Sequence, residues 1–249
     1  MGQKMVFLGR TVLAMGMLGT AGIFLPTAAW ANGPSFDCRK ASTPTETAIC
    51  ADPKLSAIDL LVAKAFKTFQ PSFGGDKHAI ARALITDRDA CGKDDACIVS
   101  AQNNALETYG DAPTWVQDYN LALIGKKALE AAAHTPRDAD QPLPAALGQC
   151  APTRIATLTA RIGDDPSLAT APPEAGSAAT FTNGGTGVSY EREAGLVSSK
   201  VGDPVMLCLI SIPRDCPAGD DRGRVYYGVN LASKGTWFLP DSQHMCGGA

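Results

Sequence analysis

Histidine is nearly missing from this chain. His78, His134 and His244 are the three in 249 residues. No two cysteines stand at the two-residue spacing of a zinc knuckle, so no zinc donor set is expected. A basic excess is missing too: 22 Lys and Arg against 25 Asp and Glu leave a formal net charge of −3, without the electrostatic footprint of a nucleic-acid binder. There is no Gly-x-Ser-x-Gly elbow, phosphate loop, dinucleotide fingerprint or haem motif. A stable membrane span is not expected either, because the one long apolar segment, residues 11–25, is shorter than the ~20 residues such a helix needs. It is also broken by Gly16, Gly19, Gly22 and Pro26. These absences leave a protein with no expected cofactor, metal or nucleic-acid partner.

What stands at the N-terminus has the form of an export signal. Lys4 and Arg10 precede the apolar segment, and Ala29-Trp30-Ala31 puts small residues at a cleavage position. Cleavage after Ala31 is expected, with a retained anchor as the alternative. Removal of residues 1–31 leaves 218 residues and a net charge of −5, because both basic groups and no acid leave with the signal. All eight cysteines then belong to the mature chain, an even number in an exported protein, and read as disulfides formed in a periplasmic or extracellular compartment. They divide four and four: Cys38, Cys50, Cys91 and Cys97, then Cys150, Cys208, Cys216 and Cys246. Each set allows three pairings. In the first set local pairing is preferred, Cys38 with Cys50 and Cys91 with Cys97; the first of these loops would stabilise by about 3 kcal/mol in the chain-entropy picture.

The first half reads as helices. Thr43-Pro44-Thr45-Glu46 is a capping box with proline at the first helical position, and Asp52-Pro53 restarts the chain in the same way. From there Leu55, Ile58, Leu61, Val62, Ala65, Phe66 and Phe69 fall on one helical face. Asp76 caps a third helix running to about Cys91. An aspartate in the Gly92-Lys93-Asp94-Asp95 loop caps a fourth, running to about Tyr109. Residues 115–133 are ambiguous: Trp115, Tyr119, Ala122, Leu123 and Ala133 suggest a helix whose aromatics pack, while Lys126-Lys127 interrupts that face. Cys38, Ala41, Thr43, Glu46, Ile49, Cys50, Leu55 and Asp59 resemble the opening of the LprI-type domain, a secreted bacterial module whose namesake is a lysozyme inhibitor. Arg88-Asp89-Ala90-Cys91 and Cys97 resemble its next signature, and the likeness covers about residues 36–100. Leu84, Gln102 and Ala105 depart from it, standing where tryptophan, tyrosine and arginine are usual.

Residues 134–147, HTPRDADQPLPAAL, carry three prolines and little to bury, and mark the expected boundary. Beyond it the period changes. Residues 150–162 suit a short helix or a first strand, and the segments 163–166 and around Pro172-Pro173 read as loops. Asn183-Gly184-Gly185 is a hairpin signal, and residues 187–192, 205–212, 224–231 and 236–239 read as strands. Residues 205–212 are apolar nearly throughout, as in a central strand covered on both faces. The expected fold is therefore α+β in two domains. A disulfide-stapled helical bundle (32–133) and a Pro-rich linker (134–147) precede a small antiparallel β domain (148–249), a sheet or compact barrel.

Candidate contact residues are Asp220, Asp221, Arg222 and Arg224 in the polar loop 216–224, where an arginine fork suits a carboxylate, together with Arg88 and His244. The same loop also reads as a plain solvated turn, and its spacing lacks the alternating acids of a calcium loop. Asp241, Ser242 and His244 lie close in sequence, but a hydrolytic triad needs spatial assembly and an oxyanion hole. Paired acids such as Asp94-Asp95 read as caps and turns, not as the opposed carboxyls of a glycosidase. Catalysis is not expected. The resemblance implies an inhibitor of lysozyme-type muramidases that acts by surface contact. The alternative is a non-inhibitory module that binds another protein of the cell envelope.

Overall fold

The computed structural model describes residues 33–162 and 167–248. The expected signal with its cleavage site at Ala31, and the loop 163–166, lie outside the described residues. Among the described residues five α-helices precede the strands, and four of them begin on a side-chain cap. For α1 (Pro44–Ala51) the Glu46 amide donates to Thr43 Oγ1 and the Glu46 carboxylate accepts from the Thr43 amide, both at 3.0 Å. Asp52 caps α2 (Pro53–Thr68), Asp76 caps α3 (Lys77–Asp89) and Asp94 caps α4 (Asp95–Thr108). Each carboxylate satisfies an amide that has no partner inside the helix and suits the positive helix start.

Helix α4 is the axis of the bundle. Every residue from Ala96 to Leu106 is buried, because α2, α3 and α5 (Thr114–Ala133) all pack against it. Ile49, Leu55, Ile58, Ile98, Leu106 and Val116 form the fully buried centre. The ambiguous segment is thus a regular helix of 20 residues, but the face read from the sequence is corrected. Val116, Asn120, Ile124 and Ala128 are its buried residues; Tyr119 packs beside the core under Lys54, while Trp115 remains 46% exposed. Helix α5 is gripped by α4 and by the sheet, and the two contacts together select a stripe spaced by four.

Six antiparallel strands follow: β1 (Cys150–Thr159), β2 (Ser177–Phe181), β3 (Thr186–Ser189), β4 (Pro204–Ser211), β5 (Val225–Asn230) and β6 (Thr236–Pro240). They are ordered β3-β2-β1-β4-β5-β6. A four-residue helix, α6 (Ala194–Val197), sits between β3 and β4 and was not legible in the sequence; neither was β2, whose alanines have little strand preference. The sheet curls until its two edges meet: Thr186 Oγ1 donates to the Asp241 carbonyl at 2.7 Å, and a side chain on Gly187 would touch Leu239. That curl protects both edges from pairing with another chain. Strand β4 is central and covered on both faces. Met206, Cys208 and Ile210 meet Ile124 and Ala128 of α5, while Val205 and Leu207 meet Leu196, Phe181 and Trp237.

The bundle and the sheet meet over a shared core. Leu209 and Tyr226 of the sheet belong to the same apolar cluster as Ile98 and Val116 of the bundle, with Leu147 among them. Residues 32–249 accordingly cluster as one compact unit. The expectation that residues 134–147 hold little to bury is corrected here. Pro144 and Leu147 are buried, Leu143 packs on the cores, and Tyr226 Oη donates to the Pro144 carbonyl at 3.3 Å. Four disulfides are present. Cys38–Cys50 and Cys91–Cys97 pair locally as preferred, Cys150–Cys208 joins facing positions of β1 and β4, and Cys216–Cys246 closes two loops on each other.

Candidate functional site

Five of the six candidate contact residues come together, and the sixth does not. The Cys216–Cys246 disulfide staples the loop 216–224 to the C-terminal segment 241–248. Asp220 is the hub of the resulting knob: its carboxylate accepts Nε and Nη2 of Arg222 at 2.8 and 2.7 Å and the Gly247 amide at 3.0 Å. That arginine fork, together with the Gly247 amide, holds the Asp220 carboxyl far below the usual range. Arg222 Nη2 also reaches the Gly248 carbonyl at 3.2 Å, and Arg224 pairs with Asp221 at 3.6 Å. His244 lies half-buried on the second segment. Asp241 serves the knob structurally, its carboxylate accepting from the Gly223 amide at 2.8 Å. The turn 70–75 between α2 and α3 docks on the knob as well: Ser72 donates its amide to Asp215 at 2.7 Å, and a side chain on Gly247 would strike Phe73.

Arg88 belongs elsewhere. Its Nε and Nη2 bind Asp89 at 3.0 and 2.8 Å, its Nη1 reaches Asp59 at 3.4 Å, and its side chain is only 16% exposed. Asp59 in turn accepts the Ser35 amide at 2.7 Å. The residue thus ties α3 to α2 and to the segment before α1, which makes it a fold clamp. Arg88→Ala is expected to lower stability by about 2 kcal/mol, since it strands largely buried acids. Urea unfolding measures the loss.

A second feature went unread in the sequence. Between α4, α5 and the open end of the sheet lies a cleft of about 500 Å³, of the size that takes small ligands or a protruding side chain. Its floor is polar. Glu107 accepts from Asn103 Nδ2 at 2.8 Å; Ser211 Oγ lies 3.1 Å from the other Glu107 oxygen and 2.7 Å from Asn104 Oδ1, and Ser100 donates to Asn120 at 2.7 Å. Asn103, Asn104 and Asn120 are all at most 3% exposed. Glu107 is an exposed residue at the cleft, and protein atoms nonetheless crowd its carboxyl. That desolvation pushes its carboxyl pKa up, against the lowering effect of its hydrogen bonds.

Ser211 has a single hydroxyl hydrogen, and its shorter contact is to Asn104 Oδ1, which also accepts the Ile212 amide at 3.1 Å. The same hydroxyl stands 3.1 Å from Glu107 Oε2 as a donor, an interaction that opposes the rise caused by desolvation. The consequence is testable. A raised carboxyl pKa means that the folded chain holds a proton the unfolded chain has released. Its stabilising contribution is therefore full below the ordinary carboxylate pKa of about 4.3 and lost as pH rises through the raised value. Glu107→Gln mimics the protonated form. It is expected to be more stable than the parent at pH 7, with the gap closing below about pH 4 in urea unfolding. A gap independent of pH would refute the assignment.

No family model matches the chain, and no curated protein or solved structure matches it. Among the described residues no group of three or more His, Cys, Asp or Glu side chains could hold a metal ion. Nor, among them, is any helix long and apolar enough to cross a membrane.

Proposed function

We propose that the protein is an exported, disulfide-locked binding protein that inhibits a lysozyme-type muramidase by surface contact and performs no turnover of its own. The observation that carries the reading is the stapled knob. It is a solvent-facing, charged loop held by a disulfide, by the Asp220–Arg222 fork and by the turn 70–75, so little freedom is lost when it docks. The chain expected after export is acidic, which favours approach to a basic enzyme. Arg222, 45% exposed along its side chain, offers its fork to the enzyme's catalytic carboxylates by exchange with Asp220. Four disulfides fit an extracellular or periplasmic location.

The test is direct association. A basic muramidase flowed over the immobilised, oxidised protein is expected to bind, and to bind more weakly in high salt. Arg222→Ala is expected to weaken binding at least tenfold. Equal binding by that variant would remove the knob from the contact. The second reading, a non-inhibitory module that recognises another envelope protein, is favoured by the cleft, which lies beside the knob and shares Met245 with it. Recovery of an envelope protein from periplasm, with no affinity for muramidase, would decide for it.

A further inference from the structure

The cleft is acidic at its floor and apolar along its walls. Glu107 and Asp118 line it, and among the described residues that line it there is no lysine, arginine or histidine. An anionic ligand would meet two carboxyls with nothing to offset them. An acceptor on the floor also lacks a partner among the described residues, as does a donor beside it, Asn104 Nδ2. Asn103 lines the cleft, is 3% exposed and gives its amide hydrogens to Glu107, while its Oδ1 has no partner among the described residues. The walls are of another kind: Leu121, Ile210 and Val225 are aliphatic, and at the mouth stand Phe238, 56% exposed, and Met245, 48% exposed. A positive donor group at the end of an apolar stem fits that division. The methylenes lie along the aliphatic wall, the aromatic ring and thioether border the stem at the mouth, and the charged end reaches the acid.

We propose that the cleft receives the ammonium group of a lysine side chain presented by a partner protein. The proposal does not depend on that partner being a muramidase. Ser211 Oγ donates toward Glu107 Oε2 at 3.1 Å. When the ammonium arrives, one of its N–H groups donates to the Glu107 carboxyl, the proton that desolvation favours there passes to solvent, and an ion pair forms. Asp118 on α5 is the other ionisable group that lines the cleft; β4, β5, β6 and the C-terminal segment contribute only Ile210, Ser211, Val225, Phe238 and Met245. Affinity should therefore rise about tenfold per pH unit below the Glu107 pKa and level off above it.

The experiment is a chemical-shift titration of the isotope-labelled, oxidised chain with Nα-acetyl-lysine N-methylamide at several pH values. The expected result is a set of shifts confined to the cleft, with at least tenfold weaker binding of the Nζ-acetylated probe. Glu107→Gln should weaken the lysine probe at least tenfold and abolish the pH dependence. Phe238→Ala, at an exposed position, should weaken it several-fold. Equal binding of the Nζ-acetylated probe, or unchanged binding by Glu107→Gln, would overturn the proposal. Preferential binding of N-acetylglucosamine in the cleft would overturn it in favour of a neutral sugar site. A tenfold preference for cadaverine over the lysine amide would overturn the assignment to a protein side chain.

Discussion

Gly148→Ala is expected to cost roughly 4 kcal/mol of stability, the sum of a left-handed backbone and an overpacked contact. Gly148 has φ +69, and a Cβ there would stand 2.7 Å from the Cys97 Cα and 2.6 Å from its Cβ. The obstructing atoms are backbone and a disulfide-bonded side chain at the start of α4, so neither can swing aside. Gly148 also donates its amide to the Leu209 carbonyl at 2.8 Å, and the Leu147 carbonyl lies 3.1 Å from the Cys97 sulfur. It is one of the points at which the bundle meets the sheet, close against α4 and bonded to the central strand, and moving it would strain the shared core. Gly202 supplies the control: φ is +88 but nothing lies within 4 Å of a built Cβ. Gly202→Ala should cost only about 1 kcal/mol, the backbone part alone. Chemical denaturation of both variants separates the two contributions, and equal losses would refute the close-approach account.

Removal of the Cys150–Cys208 crosslink is the other large expected effect. The two residues face each other on β1 and β4, 58 positions apart in the chain. Opening a loop of that length returns about 4 kcal/mol of entropy to the unfolded chain in the chain-entropy picture. The double variant Cys150→Ala/Cys208→Ala should lose that amount in a denaturant melt. By contrast, the six-residue Cys91–Cys97 loop should cost about 2 kcal/mol when removed. The ranking tests whether loop length governs, because burial would rank them less far apart: Cys208 is 0% and Cys97 7% exposed.

Helix starts were legible because capping is local. Thr43, Asp52, Asp76 and Asp94 sit within three residues of the amides that they satisfy, so spacing alone identifies them. The central strand was legible for a similar reason: a segment with no polar face must be covered on both sides, and β4 is. The face of α5 was not, since two different neighbours claim it and periodicity reports only one. The expectation for residues 134–147 misled through composition, because prolines also line a fixed path over a core, as Pro144 does beneath Tyr226.

The candidate site divides in the same way. The knob could be read from glycines, acids and two cysteines. The cleft could not, since Glu107 is desolvated by walls from α5 and the sheet and meets Ser211, 104 residues away in sequence. One signal was present. Gln102, Asn103 and Asn104 stand together between the apolar Ile98-Val99 and Leu106, and three consecutive amides cannot all face water on a helix surrounded by neighbours. Asn103 and Glu107 are also four apart, on one face. An amide run inside a helical bundle with an acid one turn later marks a polar floor.

Clearing of a cell-wall suspension by a basic muramidase tests the functional account most directly. With the purified, oxidised protein added in increasing molar ratio, the account predicts that lysis slows and reaches a floor near equimolar protein, and that the protein alone clears nothing. Undiminished lysis under a large excess, or clearing by the protein itself, would contradict it.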